Sequence, residues 1–426
     1  MIFKAPAGMK DILPEEAFLS QDLEEKARKV FALYGYLPIR TPVMEYSSLF
    51  NRSLGQETEL VKKQMFLIQR EEETYCLRPE ATAAVVRAYL ENGLDKTNQF
   101  SKLYYLGAMF RAERPQKGRL RQFHHIGVEA LGAASPYMDA EVIALAVRLL
   151  DEFGISGYQL ILNSLGCRDD RKRLSDILLE RLAPKKEGLC PDCRERFNRN
   201  IFRVLDCKNE GCKDIVSGLK LECADYLCQG CLKHFAEVKE RLDNLGLGYS
   251  LHGTLVRGLD YYTGCVFEIS HSGLGAQDAL GAGGRYDNLI QELGGPNLGA
   301  VGFALGVERL LLVSSLQSAV CGQKIKVFVV TLGEEARKKG FEMLDKLRKS
   351  GVSCDMDYEN KSLKGQMRRA NDLGAGWAAI IGDDEIKKGI ITLKDMKAGS
   401  QAEISLDNFV EEINKMTRDR RLETGD

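Results

Sequence analysis

The chain has 426 residues, of which 44% are hydrophobic and 28% charged, with a formal net charge of -1. That length is a soft prior for two to four domains of ordinary core, and the balanced charge excludes a polycation, so any nucleic-acid contact must come from local patches. No apolar run approaches the roughly 18 residues needed to cross a bilayer, and the start Met1-Ile2-Phe3-Lys4-Ala5-Pro6 has no apolar signal region, so twelve cysteines are expected to be reduced thiols in the cytoplasm or metal ligands.

Pro6 to Pro14 is turn-rich, and Glu15 to Leu33 carries Phe18, Leu23, Ala27, Val30 and Phe31 at helical spacing. Tyr36 to Glu45 reads as an extended strand, with Pro42 favouring an edge or a strand start. A helix is expected over Thr82–Leu90. Apolar runs Leu103–Met109 and Ile126–Leu131 read as the strands of a hairpin whose loop holds Arg114, Lys117 and Arg119. Asp139–Phe153 is a second helix and Tyr158–Leu162 a strand. From Cys167 to Gly246 strand-like runs nearly vanish while charges and cysteines rise, which predicts a mainly helical insertion. Strands return at His252–Val256, Cys265–Ser270 and Val301–Leu305, followed by a helix over Val307–Ser314. A boundary is expected near Gln317–Lys324. Beyond it, strands at 325–332, 352–358, 377–382 and 389–394 alternate with helices at 334–349, 362–373 and 407–415, and a polar tail from Arg418 is expected to fray. The implied domains are 1–166, 167–246, 247–318 and 324–426.

Four stretches carry the chemistry: Leu77-Arg78-Pro79-Glu80-Ala81-Thr82-Ala83; Phe110 to His124; Leu255-Val256-Arg257-Gly258-Leu259-Asp260-Tyr261-Tyr262-Thr263-Gly264; and Gly302-Phe303-Ala304-Leu305-Gly306-Val307-Glu308-Arg309-Leu310. Arginines fixed on a sheet suit phosphate, because the guanidinium is always charged and matches phosphate oxygens bidentately. A solvated charged hairpin is the plain alternative. Gly281-Ala282-Gly283-Gly284-Arg285-Tyr286-Asp287 lacks the G-x-G-x-x-G spacing of a dinucleotide loop.

The second stretch resembles motif 2 of class II aminoacyl-tRNA synthetases, in the form seen in the histidyl-tRNA synthetase family, and the other three follow in that family's order. The resemblance implies an α+β catalytic domain built on an antiparallel sheet, a helical insertion and a C-terminal α/β anticodon-binding domain. It implies a cytoplasmic homodimer acting on ATP with Mg2+, L-histidine and histidine tRNA, with the dimer-forming motif 1 near Pro42. Arg257 would meet the α-phosphate where related enzymes place a metal ion, with Arg111 beside it. Arg309 would clamp the nucleotide, and Glu113 and Arg119 would orient adenine and the outer phosphates; for this pair a surface salt bridge is the rival. Glu80 and Thr82 would face the α-amino group of histidine, and Glu129 and Tyr262 the imidazole nitrogens, with Tyr261 nearby. The plain alternative for the two tyrosines is strand packing, one facing inward and one outward. His125 stands where the family has glutamine, in the binding site for the amino group. Arg114 and Gln116 would meet the acceptor end of tRNA. Lys361, Lys364 and Arg368 share a helix face by spacing, and the anticodon contacts would fall in their domain.

Seven cysteines fall in one 42-residue stretch, Cys190 to Cys231. Cys190-x2-Cys193 and Cys228-x2-Cys231 have metal-knuckle spacing, so these four are the expected ligands of a structural zinc, with free buried thiols as the rival. Two other functions compete: an inactive synthetase-like regulatory subunit of histidine biosynthesis, which typically lacks the last domain, and a zinc-dependent nucleic-acid binder centred on the cysteines.

Overall fold

The computed structural model describes residues 3–55, 58–97, 100–275, 278–314 and 325–424, with side chains to residue 416. The expected boundary at 317–324 lies outside the described residues. Two units result, one on each side of it.

The first unit is built on an eight-stranded sheet. Its strands are β1 (Leu37–Pro38), β5 (Ser101–Phe110), β6 (Gln122–Leu131), β11 (Ala300–Gly306), β10 (Ala279–Arg285), β9 (Thr263–His271), β7 (Tyr158–Ser164) and β8 (Ser250–Leu251), in that spatial order. All inner pairs are antiparallel, and only the short edge strands β1 and β8 run parallel to their neighbours. A second, three-stranded sheet holds β2 (Met44–Tyr46), β4 (Glu73–Leu77) and β3 (Phe66–Arg70). The single strand expected over Tyr36–Glu45 is therefore split between two sheets. Pro38 and Pro42 have no N–H to donate, and the ladder breaks between them.

Helices Pro14–Leu33 and Pro136–Glu152 cover one face of the large sheet, and their buried stripes (Leu23, Ala27, Val30, Phe31; Val142, Ile143, Ala146, Leu150) join Ile126, Val128, Phe267 and Phe303 in one core. Helix Thr82–Glu91 belongs to a second core with Tyr105, Met109 and Tyr286. No strand occurs between Ser164 and Ser250 among the described residues; the insertion is helical throughout. Its Leu174, Leu178, Leu182, Val204 and Tyr226 form a core of their own. Its last helix, Gln229–Asn244, instead sends Phe235, Val238 and Leu242 into the main core. The strand expected at His252–Val256 is a loop after Leu251.

The second unit is a mixed five-stranded sheet, ordered Cys354–Met356, Val327–Leu332, Trp377–Gly382, Ile390–Asp395, Gln401–Ser405, parallel for the first three strands and antiparallel after. The final helix runs Phe409–Thr424, past the point where a frayed tail was expected.

Candidate active site

A cavity of about 940 Å³ opens in the first unit, at the upper end of the range typical of ligand sites. It gathers Glu80, Thr82, Arg111, Glu113, Arg119, His125, Arg257, Tyr261, Tyr262 and Arg309, residues separated by more than two hundred positions in sequence.

Its positive charge comes from arginines anchored by only part of their forks. Arg111 follows the last residue of β5 rather than lying within the strand, but its N–H still continues the hairpin ladder to Arg121 O at 2.8 Å. Its Nε donates to Pro79 O at 2.9 Å, and its guanidinium lies 5.2 Å from the centre of the Phe123 ring. Arg309, in helix Val307–Val313, donates to Gly118 O at 2.9 Å and Ala279 O at 2.6 Å. Burial, then mutual repulsion with Arg119 and Arg111, lowers the pKa of Arg309, so these cations are held together at a cost that an anion would relieve. Glu113 is buried and pairs with Arg119 at 2.5 Å. His124 and Glu308 lock the motif 2 strand to the helix behind it: the His124 N–H donates to both Glu308 oxygens at 3.0 Å, and Nδ1 lies 2.9 Å from Oε1.

Arg257 sits in the loop beyond β8, not at a strand end. Its Nη1 donates to Glu268 Oε2 on β9 at 2.5 Å, while Nε is buried without a partner among the described residues. Asn163 of β7 holds the loop by donating to Gly253 O at 3.2 Å and Leu255 O at 2.9 Å. From the insertion, Arg203 donates to the carbonyl of Gly258. Neither Glu268 nor Arg203 stood out in sequence. Each is one charged residue among many, and only the fold brings it to Arg257.

Behind the lining residues Thr82, Tyr286 and Gly302 the chemistry changes. Glu129, 1% exposed on β6, accepts from Thr82 Oγ1 at 2.7 Å and from the Tyr286 hydroxyl. Burial pushes its carboxyl up to about 8 despite these donors. Glu80 spends both oxygens on the start of helix Thr82–Glu91, accepting from the N–H groups of Thr82 at 2.6 Å and Ala83 at 2.9 Å, and burial raises its pKa as well. Tyr261 and Tyr262 lie in the loop before β9, so strand alternation does not apply; both are buried, both line the cavity, and their rings are 4.7 Å apart. Tyr286 is the member that sequence reading passed over. It follows the Gly-rich run, which forms the strand β10 rather than a loop. On neighbouring β11, Gly302 is equally necessary: a Cβ there would stand 2.0 Å from Glu129 Oε2 and 2.4 Å from Val128 O.

His125 faces the same cavity from β6. Its Nδ1 is buried with no partner among the described residues. Burial, then the charges of Arg111, Arg309 and Arg78, holds its pKa well below the usual imidazole range, so the ring is neutral. A neutral imidazole with an open nitrogen can accept one hydrogen bond from a ligand or donate one, depending on its tautomer. Arg78, by contrast, does not line the cavity: its Nε and Nη1 hold Ala108 O, Thr41 O and Thr41 Oγ1 at 2.9–3.0 Å.

Arg114 and Gln116 lie in the motif 2 loop and line an adjoining groove with Glu59, Lys63 and Arg119. In the second unit, Lys364 and Arg368 are exposed on helix Leu363–Asp372. Lys361 precedes the N-cap Ser362 and pairs with Glu359 at 2.8 Å, so the expected three-residue face reduces to two. The four expected zinc ligands do not converge. Cys190 and Cys193 group with Cys207 and Cys212, while Cys228 and Cys231 group with Cys167 and Asp170. Equal spacing suggested one site, but the two knuckles open different helices.

Comparison with known proteins agrees with this geometry. A family profile described as histidyl-tRNA synthetase matches residues 8–310, and one described as an anticodon binding domain matches 326–416. The chain is 44% identical over 419 residues to the histidine–tRNA ligase of Halothermothrix orenii, covering 98% of this chain and all of that one. It is 46% identical over 421 residues to that of Desulforudis audaxviator, covering 98% and 100%. The apo crystal structure of S. aureus histidyl-tRNA synthetase superposes with a TM-score of 0.80 at 35% identity, over 97% of this chain and 100% of that one.

Proposed function

The chain belongs to the histidyl-tRNA synthetase family, and from that premise we propose how its cavity divides the work of a histidine–tRNA ligase. The reaction has two steps. The carboxylate of L-histidine attacks the α-phosphorus of ATP, forming histidyl-adenylate and releasing pyrophosphate; the 3′-terminal adenosine hydroxyl of tRNA then takes the acyl group and AMP leaves. Negative charge gathers on phosphate oxygens in the first step, so fixed cations do most of the catalytic work. Arg257 and Arg111 take the α-phosphate, Arg309 clamps the nucleotide, and the Glu113–Arg119 pair orients adenine and the outer phosphates. Magnesium enters as the counter-ion of ATP. Two acids beside these arginines, Glu113 and Glu268, are already in ion pairs.

Histidine lies deeper. Glu129 accepts the imidazole N–H, with Thr82, Tyr286 and Tyr262 around it. His125 and Glu80 serve the α-amino group, Glu80 chiefly by charge, since its oxygens already cap a helix. A ligand without the N–H leaves the buried carboxylate with only its Thr82 and Tyr286 donors, which discriminates against that ligand. The observation that carries this reading is the juxtaposition, in one cavity, of partly free arginines with Thr82 and Tyr286, whose hydroxyls hold the buried Glu129 behind them. Histidine-dependent exchange of labelled pyrophosphate into ATP tests it. Arg257→Ala should lower exchange by about 10²–10³-fold, whereas exchange at the wild-type rate would remove Arg257 from the mechanism. The regulatory-subunit reading is disfavoured by the presence of the anticodon-type unit.

We assign Arg114 and Gln116 to the acceptor end of tRNA, and Lys364 and Arg368, with Lys361 beside them, to the anticodon arm. The homodimer is supported by solvent-facing Val43, Met44, Tyr46, Leu67 and Ile68, an apolar set on and beside β2 and β3 where motif 1 falls. A cytoplasmic setting is supported by free thiols at all the described cysteines and by the lack, among the described residues, of any helix long and apolar enough to cross a membrane. Cysteines of the insertion act as structural metal ligands, and none is a catalytic group.

A further inference from the structure

Four thiols converge in the insertion: Cys190 and Cys193 at the start of helix Pro191–Arg199, Cys207 in the turn after Phe202–Leu205, and Cys212 in helix Glu210–Ser217. Their four sulfurs lie within 4.8 Å of one another, and Cys190 Sγ is 3.8 Å from Cys207 Sγ. A tetrahedral zinc with Zn–S bonds of about 2.3 Å sets sulfurs about 3.8 Å apart. A disulfide would need about 2.05 Å, and all four are free thiols. The N–H of Cys190 points at Cys212 Sγ at 3.2 Å, which suits a thiolate acceptor. One buried cysteine packs as a small hydrophobe; four sulfurs facing one point have no packing explanation.

The other group, Cys167, Asp170, Cys228 and Cys231, has an explanation without metal. Asp170 accepts from the N–H of Cys167 at 3.2 Å and of Cys228 at 2.9 Å and pairs with Arg173, so it joins the starts of two helices as a cap.

We propose that Cys190, Cys193, Cys207 and Cys212 bind a single structural zinc ion as a tetrathiolate, and that Cys228 and Cys231 take no part. This rests on the structural-metal reading of the insertion and names its ligands. The ion closes a loop over residues 193–207, which carries Arg203 to the Gly258 carbonyl beside Arg257. Cys190 and Cys207 themselves line the active-site cavity together with Arg196, Arg199 and Lys208. Zinc thus fixes one wall of that cavity, in which Arg196, Arg199 and Lys208 are paired with Glu59, Glu195 and Asp206, and its ligands are positioning residues.

The test uses full-length protein grown with zinc and purified without chelator, its metal counted by mass spectrometry. Wild type and Cys231→Ser should each hold one zinc per chain, and Cys207→Ser and Cys212→Ser almost none. Cobalt exchanged into wild type should show the visible bands of a tetrahedral thiolate site, a readout that survives if a serine variant fails to fold. Metal-free wild type would overturn the assignment. So would zinc lost from Cys231→Ser but kept in Cys207→Ser, and so would a second ion per chain that Cys231→Ser removes. The count does not depend on histidine activation, so its failure is distinct from failure of the ligase reading.

Discussion

Replacing Glu129 with glutamine tests the buried carboxyl directly. The side chain is 1% exposed, and its pKa rises from 4.5 to about 8. The difference, about 3.5 units at roughly 1.36 kcal/mol each, is at most about 5 kcal/mol against holding the charge in the empty site. Because the folded-state pKa is the higher one, the carboxyl's contribution to stability is fully present below pH 4.5 and is lost as pH rises through about 8. Glu129→Gln is neutral throughout, so its melting temperature relative to wild type should climb between pH 5 and 8.5. At about 2 °C per kcal/mol for a unit of this size, the climb is at most roughly 10 °C. Histidine binding should move the opposite way. An imidazole N–H favours the carboxylate, so wild-type affinity should improve by up to about tenfold per pH unit between 6.5 and 8, while the variant binds weakly with no such slope. Differential scanning fluorimetry and calorimetric titration across that range measure both. A melting gap equal at pH 5 and 8.5, together with parallel affinity slopes, would refute the reasoning.

His125→Ala should raise the KM for histidine about tenfold by removing one hydrogen bond in a buried site, while His125→Gln stays near wild type; since the ring is neutral near pH 7, the alanine variant should keep the wild-type pH slope, and a lost slope would assign it to His125. Gly302→Ala should cost about 1–3 kcal/mol of stability by overpacking and weaken histidine binding by displacing Glu129; a thermal melt with unchanged histidine KM would mean the strand shifts freely. Glu268→Gln should lower pyrophosphate exchange by roughly tenfold, less than loss of Arg257 itself, because Arg257 keeps its charge but loses its geometry; an effect as large as that of Arg257→Ala would make Glu268 a direct participant.

The arginines that line the cavity were legible because charged residues stood out between apolar runs, and the hairpin strands 101–110 and 122–131 followed from the runs 103–109 and 126–131. The histidine side was less so. Tyr286 follows a strand made of Gly281, Gly283 and Gly284, residues with no side chain to show a period. The hairpin Phe66–Leu77 is mostly exposed, apolar Leu67 and Ile68 included, so its apolar residues do not mark a buried face. Zinc ligands were matched by equal C-x2-C spacing, whereas the fold joins Cys190 and Cys193 to Cys207 and Cys212, a pair with different spacing. Chain spacing reports which cysteines share a turn; it holds no information on where the next helix returns.

The glycine at 302 also limits how this pocket can change. Where it presses on Glu129, the amino-acid site is bounded by main chain already stripped of its side chain. Selection for a bulkier amino acid has nothing left to trim at that point. New specificity would have to come from Thr82 or Tyr286, which hold the carboxyl, or from His125 or Tyr262, which line the cavity beside them. A library that varies these four and leaves the glycine alone searches the part of the pocket that can yield.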